Sequence, residues 1–278
     1  MATSPAGISK KVALKATPAP VSSDAVGEVW AVLDMGELGR LIGRIALGQA
    51  THVSAILTDL EPAAPAPTFQ EMKDAAIRAL TVRSGDDPWR RDGFLFEAIS
   101  WIVARQSAAP SDFMRDPHLK STTQGLDGLL IRVSPPGTIT KLIIFEDKCT
   151  DNPRGLFKGS VLPSFKTHHR HERAPELVAA VAELLRQAKL KDADMAIAAA
   201  TAVRDLSCRS YKASLTVAHN QNTQSARAAL FADYEELDLI TQGQRIGATF
   251  VMPNGDLRPW FESLAQIAIE QIKLLPVI

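Results

Sequence analysis

Cysteine, net charge and long apolar runs are all scarce in this chain of 278 residues. Cys149 and Cys208 are its only two cysteines, no secretory leader opens it, and no apolar run approaches the ~20 residues that span a bilayer. These absences predict a reducing, cytoplasmic setting with no membrane contact. Lys and Arg number 31 against 31 Asp and Glu, a formal net charge of zero. A protein that coats nucleic acid through a global positive excess is therefore excluded, and any phosphate contact must come from local patches.

Two common ligand motifs are also missing. Gly36, Gly39 and Gly43 fall among Leu38, Leu41, Ile42 and Ile45 on a helical pattern. With no Lys-Ser or Lys-Thr at a glycine turn, they are packing glycines and not a phosphate loop. His168, His169 and His171 lie together without Cys or carboxylate partners at metal spacing, so zinc is not expected; a phosphate-contacting or a solvated loop is. Cys149 has no histidine fixed nearby in sequence and reads as a small buried thiol, not a nucleophile.

What is present is enough apolar content, 46%, for a sizeable core, and it is organised around residues 125 to 148. Leu126 to Ser134 and Thr138 to Lys148 are two runs rich in Leu, Ile and Val on either side of Pro135-Pro136-Gly137, the pattern of a β-hairpin. Strand alternation puts Leu142, Ile144, Glu146 and Lys148 on one face and Ile143, Phe145 and Asp147 on the other. A carboxylate and an ammonium closing an apolar strand must be paired, hydrated or metal-bound, because burial of either alone is costly. Asp127, on the first strand, is placed to meet Glu146. Two carboxylates beside a lysine suit metal-assisted hydrolysis: Asp127, Glu146 and the carbonyl of Asp147 offer hard oxygens to Mg²⁺, with Lys148 beside the attacking water.

Asp127 followed after the turn by Glu146-Asp147-Lys148 resembles the PD-(D/E)xK nuclease superfamily, with Glu146-x-Lys148 as the second half-motif. Leu126 stands where the first half-motif has proline, inside a Gly125-Leu126-Asp127-Gly128 hairpin. The resemblance spans roughly Phe94 to Val203. It implies a restriction-endonuclease-like core, a Mg²⁺ cofactor for which Mn²⁺ can substitute, and DNA as substrate. It also implies a role for Glu97, on the preceding helix, in reaching the metal site directly or through water. The absence of any evident helicase or sequence-reading module implies a protein partner such as a helicase or ATPase in a bacterial defence system, and Hachiman-type nuclease subunits are a candidate relative.

The remaining chain predicts an α/β architecture: a central mixed sheet flanked by helices, with a largely helical N-terminal extension. Residues 1–25 read as a flexible tail, 26–85 as a helical region and 86–278 as the nuclease-like core. Helices are expected from Phe69 to Val82, Trp89 to Gln106, Pro175 to Ala188, Ser225 to Leu239 and Trp260 to Leu275, and strands from Met195 to Val203, Tyr211 to Ala218 and Arg245 to Met252. Residues 107–123 and 150–173 read as loops. Lys120 in the first, and Arg154, Lys158, Lys166 and Arg170 in the second, are the candidate phosphate contacts, the alternative being a solvated surface.

Three functions from different classes fit these residues. The first is a Mg²⁺-dependent nuclease using Asp127, Glu146, Lys148 and Glu97. The second is a non-catalytic nucleic-acid- or protein-binding module in which Glu146 and Lys148 form only a structural ion pair. The third, a metal-free acid/base hydrolase built on the two carboxylates, makes the least use of the lysine. Metal-dependent cleavage separates them.

Overall fold

Seven strands form one mixed sheet in the order β1-β2-β7-β6-β5-β4-β3. The computed structural model describes residues 12–58, 60, 64–118, 126–135, 137–188, 192–252 and 256–277. β1 (Leu14–Pro18) pairs antiparallel with β2 (Val26–Val32). From β2 the sheet continues in parallel through β7 (Arg245–Met252) and β6 (Arg209–Ala218) to β5 (Thr138–Lys148). β4 (Gly128–Ser134) and β3 (Asp112–Met114) complete an antiparallel meander on β5. Gly137, at φ 119°, occupies backbone space open to glycine and donates its N–H to Ser134 O at 2.7 Å, closing the expected hairpin.

Helices cover both faces. On one side lie α1 (Met35–Ala46), α2 (Ala50–Leu57), α3 (Gln70–Leu80), α4 (Trp89–Gln106) and, from the end of the chain, α10 (Leu257–Leu274), around Trp30, Phe96, Phe250 and Phe261. On the other, α5 (Pro153–Leu156) runs through a π turn (Phe157–Val161) into α6 (Leu162–His169), followed by α7 (Ala174–Gln187), α8 (Asp192–Arg204) and α9 (Gln224–Leu230). This second core centres on Phe157, Phe165, Tyr211, Phe231 and Tyr234. β5 divides its side chains as its alternation predicts, Ile143 and Phe145 to the first core, Leu142 and Ile144 to the second. Among the described residues no helix is long and apolar enough to cross a membrane.

Several expectations are corrected. The segment expected as a flexible tail contains β1, and the region expected as helical opens with β2, so both belong to the same sheet as the rest. Met195 to Val203 is helical, not a strand: Met195, Ala199, Ala202 and Val203 are its buried positions, a helical spacing in an alanine-rich run that favours helix. The basic stretch from 150 to 173 is largely helical. Asn152 caps its start by accepting the Gly155 N–H, and Phe157, Val161, Leu162 and Phe165 bury one stripe between the basic residues. The helix expected to reach Leu239 ends at Leu230.

Candidate functional site

The carboxyl end of β5 carries Glu146, Asp147 and Lys148, and β4 starts beside it. Gly128 pairs with Phe145, and a Cβ added there would stand 3.2 Å from that of Phe145. This close approach places Asp127, the next residue outward, opposite Glu146. Lys148 Nζ lies 2.6 Å from Asp127 Oδ2 and 2.8 Å from Glu146 Oε2, bridging the two carboxylates. The Asp147 backbone N–H donates to the same Asp127 oxygen at 2.9 Å, and Ser164 on α6 donates its hydroxyl to Glu146 Oε1 at 2.6 Å. The three residues expected to converge do so, at the ends of interior strands and not at the edge of the sheet.

Burial sets the electrostatics here. Glu146 is 5% exposed, and desolvation raises its pKa, with Asp127's charge adding to the rise and Lys148 opposing it. Burial acts to lower the Lys148 pKa, but the fields of Glu146 and Asp127 outweigh it and hold the ammonium protonated, above the ordinary lysine value. Lys148 is thus a charged donor and not a base.

Asp147 points to the opposite face, toward α4. Burial first, and then the charge of Asp127, push its carboxyl up to about 8, with Ser214 and Ser100 opposing the shift. The hydroxyls of Ser100 and Ser214 face the buried Asp147 Oδ1 without closing a well-formed hydrogen bond to it. Glu97, on α4 and 8% exposed, is held by His118: its Oε1 accepts the His118 backbone N–H at 2.7 Å and lies 2.9 Å from the ring Nδ1. Burial raises the Glu97 pKa against the pull of His118, and Asp127's charge contributes to the rise, so Glu97 faces the same neighbourhood.

Asp127 and Glu146 supply hard oxygens that meet at one point, which fits the donor chemistry of Mg²⁺. Among the described residues no group of three or more His, Cys, Asp or Glu side chains is close enough together to hold a metal ion, so a cation there would complete its shell with water, backbone and substrate oxygens. Comparison with protein families, curated proteins and solved structures finds no match for this chain.

The candidate phosphate contacts are mostly engaged. Arg154 donates to Leu230 O and Ala232 O at 3.2 and 2.6 Å and to Asp233 Oδ2 at 2.6 Å, while Lys158 Nζ stands 3.8 Å from the same carboxylate. Lys166 pairs with Glu236. Arg170 is exposed, and Lys120 lies outside the described residues. His168 and His169 are buried, unlike members of a solvated loop. Cys149 is half-buried, with its thiol pushed far up by burial and by Asp92, consistent with an inert role. His118 falls in the segment 107–123 that the sequence reads as a loop, and the sequence carries no signal for Ser100, Ser164 or Ser214, whose roles depend on tertiary neighbours.

Two outcomes follow from these contacts. Arg154→Ala should lower the melting temperature, by an amount equivalent to about 1–3 kcal/mol, because it strips donors from two backbone carbonyls; DNA affinity per folded molecule should stay unchanged, as filter binding below the melting range would show. Asp147→Asn should stabilise the metal-free protein increasingly with pH. A folded carboxyl raised to about 8 contributes stability that is complete below the ordinary Asp value, near 3.8, and lost as pH rises to about 8. Melting curves of both proteins in EDTA from pH 5 to 9 should diverge upward and then run parallel; a constant difference would contradict the burial of this carboxyl.

Proposed function

We propose that the chain is a Mg²⁺-dependent nuclease that hydrolyses phosphodiester bonds of DNA. The observation that carries this reading is the meeting of Asp127 and Glu146 at Lys148 Nζ, at the end of a hairpin inside a mixed sheet flanked by helices. Asp127 and Glu146, with the Asp147 carbonyl, would hold the cation, which supplies Lewis-acid polarisation of a phosphate oxygen and a lowered pKa of bound water. Lys148, kept protonated by its two carboxylates, donates to the negative charge that develops on the phosphate oxygens. Ser164 fixes the Glu146 carboxylate through one oxygen and leaves the other directed at the site. Glu97, anchored by His118, adds negative potential on the Asp147 side.

The finer expectations, a restriction-endonuclease-like core, a cytoplasmic setting and an effector role in a bacterial anti-phage or restriction system with a helicase or ATPase partner, are part of this proposal and rest on the resemblance of Asp127 and Glu146-Asp147-Lys148. A second reading is favoured by the same ion pairs: Lys148 satisfies both carboxylates without any metal, as it would in a binding module that does not cut. Incubation of the purified protein with linear, circular and single-stranded DNA in Mg²⁺, Mn²⁺ or EDTA decides between them. Cleavage in either metal and none in EDTA is expected; DNA left intact under all three conditions, alone and with its partner, would leave the binding module.

A further inference from the structure

Arg209, the first residue of β6, is fully buried, at 0% exposure, yet is paired with no carboxylate among the described residues. Its Nη1 donates to His168 O at 2.8 Å and to the Tyr211 hydroxyl at 3.3 Å, while Nε and Nη2 are buried with no hydrogen-bond partner. Those two nitrogens form one edge of the guanidinium. Elsewhere in this protein the same edge grips carboxylates: Arg132 gives Nε and Nη2 to Asp112 at 2.6 and 2.8 Å, Arg40 to Glu37 at 2.8 and 2.6 Å, and Arg173 to Glu176 at 2.8 and 2.6 Å. On Arg209 that edge is buried and meets no protein acceptor among the described residues.

No carboxylate among the described residues bonds to it. Asp205 feels its charge but accepts the Ser207 N–H, while Glu176 is paired with Arg173 and Asp238 with His169. Arg204 and Arg173 add positive potential around the neighbouring His171 and His168. His168 is 1% exposed with both ring nitrogens unpartnered; burial pushes its pKa down to about 4, so at neutral pH it offers one N–H donor and no charge. An unpaired interior guanidinium beside an unpaired imidazole is expensive unless an anion completes it.

We propose that Arg209 is the floor of an oxyanion site between the end of α6, the end of α8 and the start of β6. The site takes one small anion that presents two oxygens side by side, a phosphoryl or carboxylate group, to the Nε and Nη2 edge. The exposed turn from Arg170 to Glu172, in which His171 adopts φ 61°, borders the site, since the charge of Arg209 reaches His171. This site is distinct from the hydrolytic one: Arg209 pairs with Leu142 and Ala213 with Glu146, four residues or ~13 Å along the sheet. It stands or falls independently of the nuclease reading.

The test is a melting and calorimetric titration of the whole, metal-free protein with sodium phosphate or sodium acetate replacing chloride at constant ionic strength. A saturable heat and a rise of roughly a few degrees per tenfold anion above its Kd are expected, unlike the unsaturating rise from general exclusion of phosphate. Response to phosphate alone assigns a phosphoryl ligand, and response to acetate a carboxylate. Arg209→Lys keeps the charge without the paired edge and should lose the response. Arg209→Met should lose it too and melt at or above wild type without anion. Absence of saturable binding by wild type overturns the proposal whether or not the variants fold, as does an undiminished response in folded Arg209→Lys.

Discussion

Replacing Lys148 by alanine is expected to slow DNA cleavage by a factor on the order of 10² to 10³, equivalent to the ~2.7–4 kcal/mol measured for loss of one oriented donor to a developing oxyanion. The same change should lower the metal-free melting temperature, because Asp127 Oδ2 and Glu146 Oε2 would face each other without the ammonium that now stands 2.6 and 2.8 Å from them. That loss should fall below the ~3–5 kcal/mol of a fully buried pair, since the Lys148 and Asp127 side chains keep 23% and 28% of their exposure. Mn²⁺ should restore the melting temperature, a divalent cation replacing the missing charge, but should not restore cleavage. This split separates catalysis from folding. Cleavage assays and melting curves with and without Mn²⁺ check it, and a folded, Mn²⁺-saturated variant that cuts at the wild-type rate would remove Lys148 from the mechanism.

Glu146→Gln should have the larger effect on activity, about 10³-fold or more, because it removes one of the two carboxylates proposed to hold the cation and with it the several kcal/mol of charge stabilisation that cation would supply. Calorimetric Mn²⁺ binding should be lost as well. Without metal this variant should melt at or above wild type, and its advantage should grow with pH. Burial raises the folded Glu146 pKa above its ordinary value near 4.5, so the wild-type protein loses stability as pH rises past that value toward the folded pKa, and glutamine does not. Lys148 retains Asp127 as a partner in the variant, so no buried ammonium is abandoned. Wild-type cleavage by Glu146→Gln, or metal binding as tight as before, would show that the cation, if any, is held elsewhere.

Much of the site was legible before folding because it depends on local periodicity. Alternation along Thr138 to Lys148 assigned Glu146 and Lys148 to one face and Asp147 to the other, and Pro-Pro-Gly marked the reversal that brings Asp127 back. α4 was legible from Trp89 to Gln106 because its apolar positions are nearly continuous from Phe94 to Ala104, where Glu97 is the one charge. α8 was not: nine largely apolar, mostly alanine residues from Met195 to Val203 fit the length of a buried strand, and their helix propensity and packing against the second core make them helical. The basic helix through Phe157 and Phe165 was concealed by its charges.

By itself, then, the sequence determined the hairpin, the faces of its residues, and the chemistry available at its end, since these follow from steric alternation and turn geometry within two dozen residues. Tertiary structure alone decided that Leu14–Pro18 is a strand, because its pairing partner β2 and the sheet beyond it, through β7, come from distant parts of the chain. It alone decided that His118 holds Glu97, that Ser164 holds Glu146, and that one edge of Arg209 is buried without a protein acceptor among the described residues. Each of those depends on segments apart in sequence, because whether a buried polar group is satisfied depends on what the other segment brings.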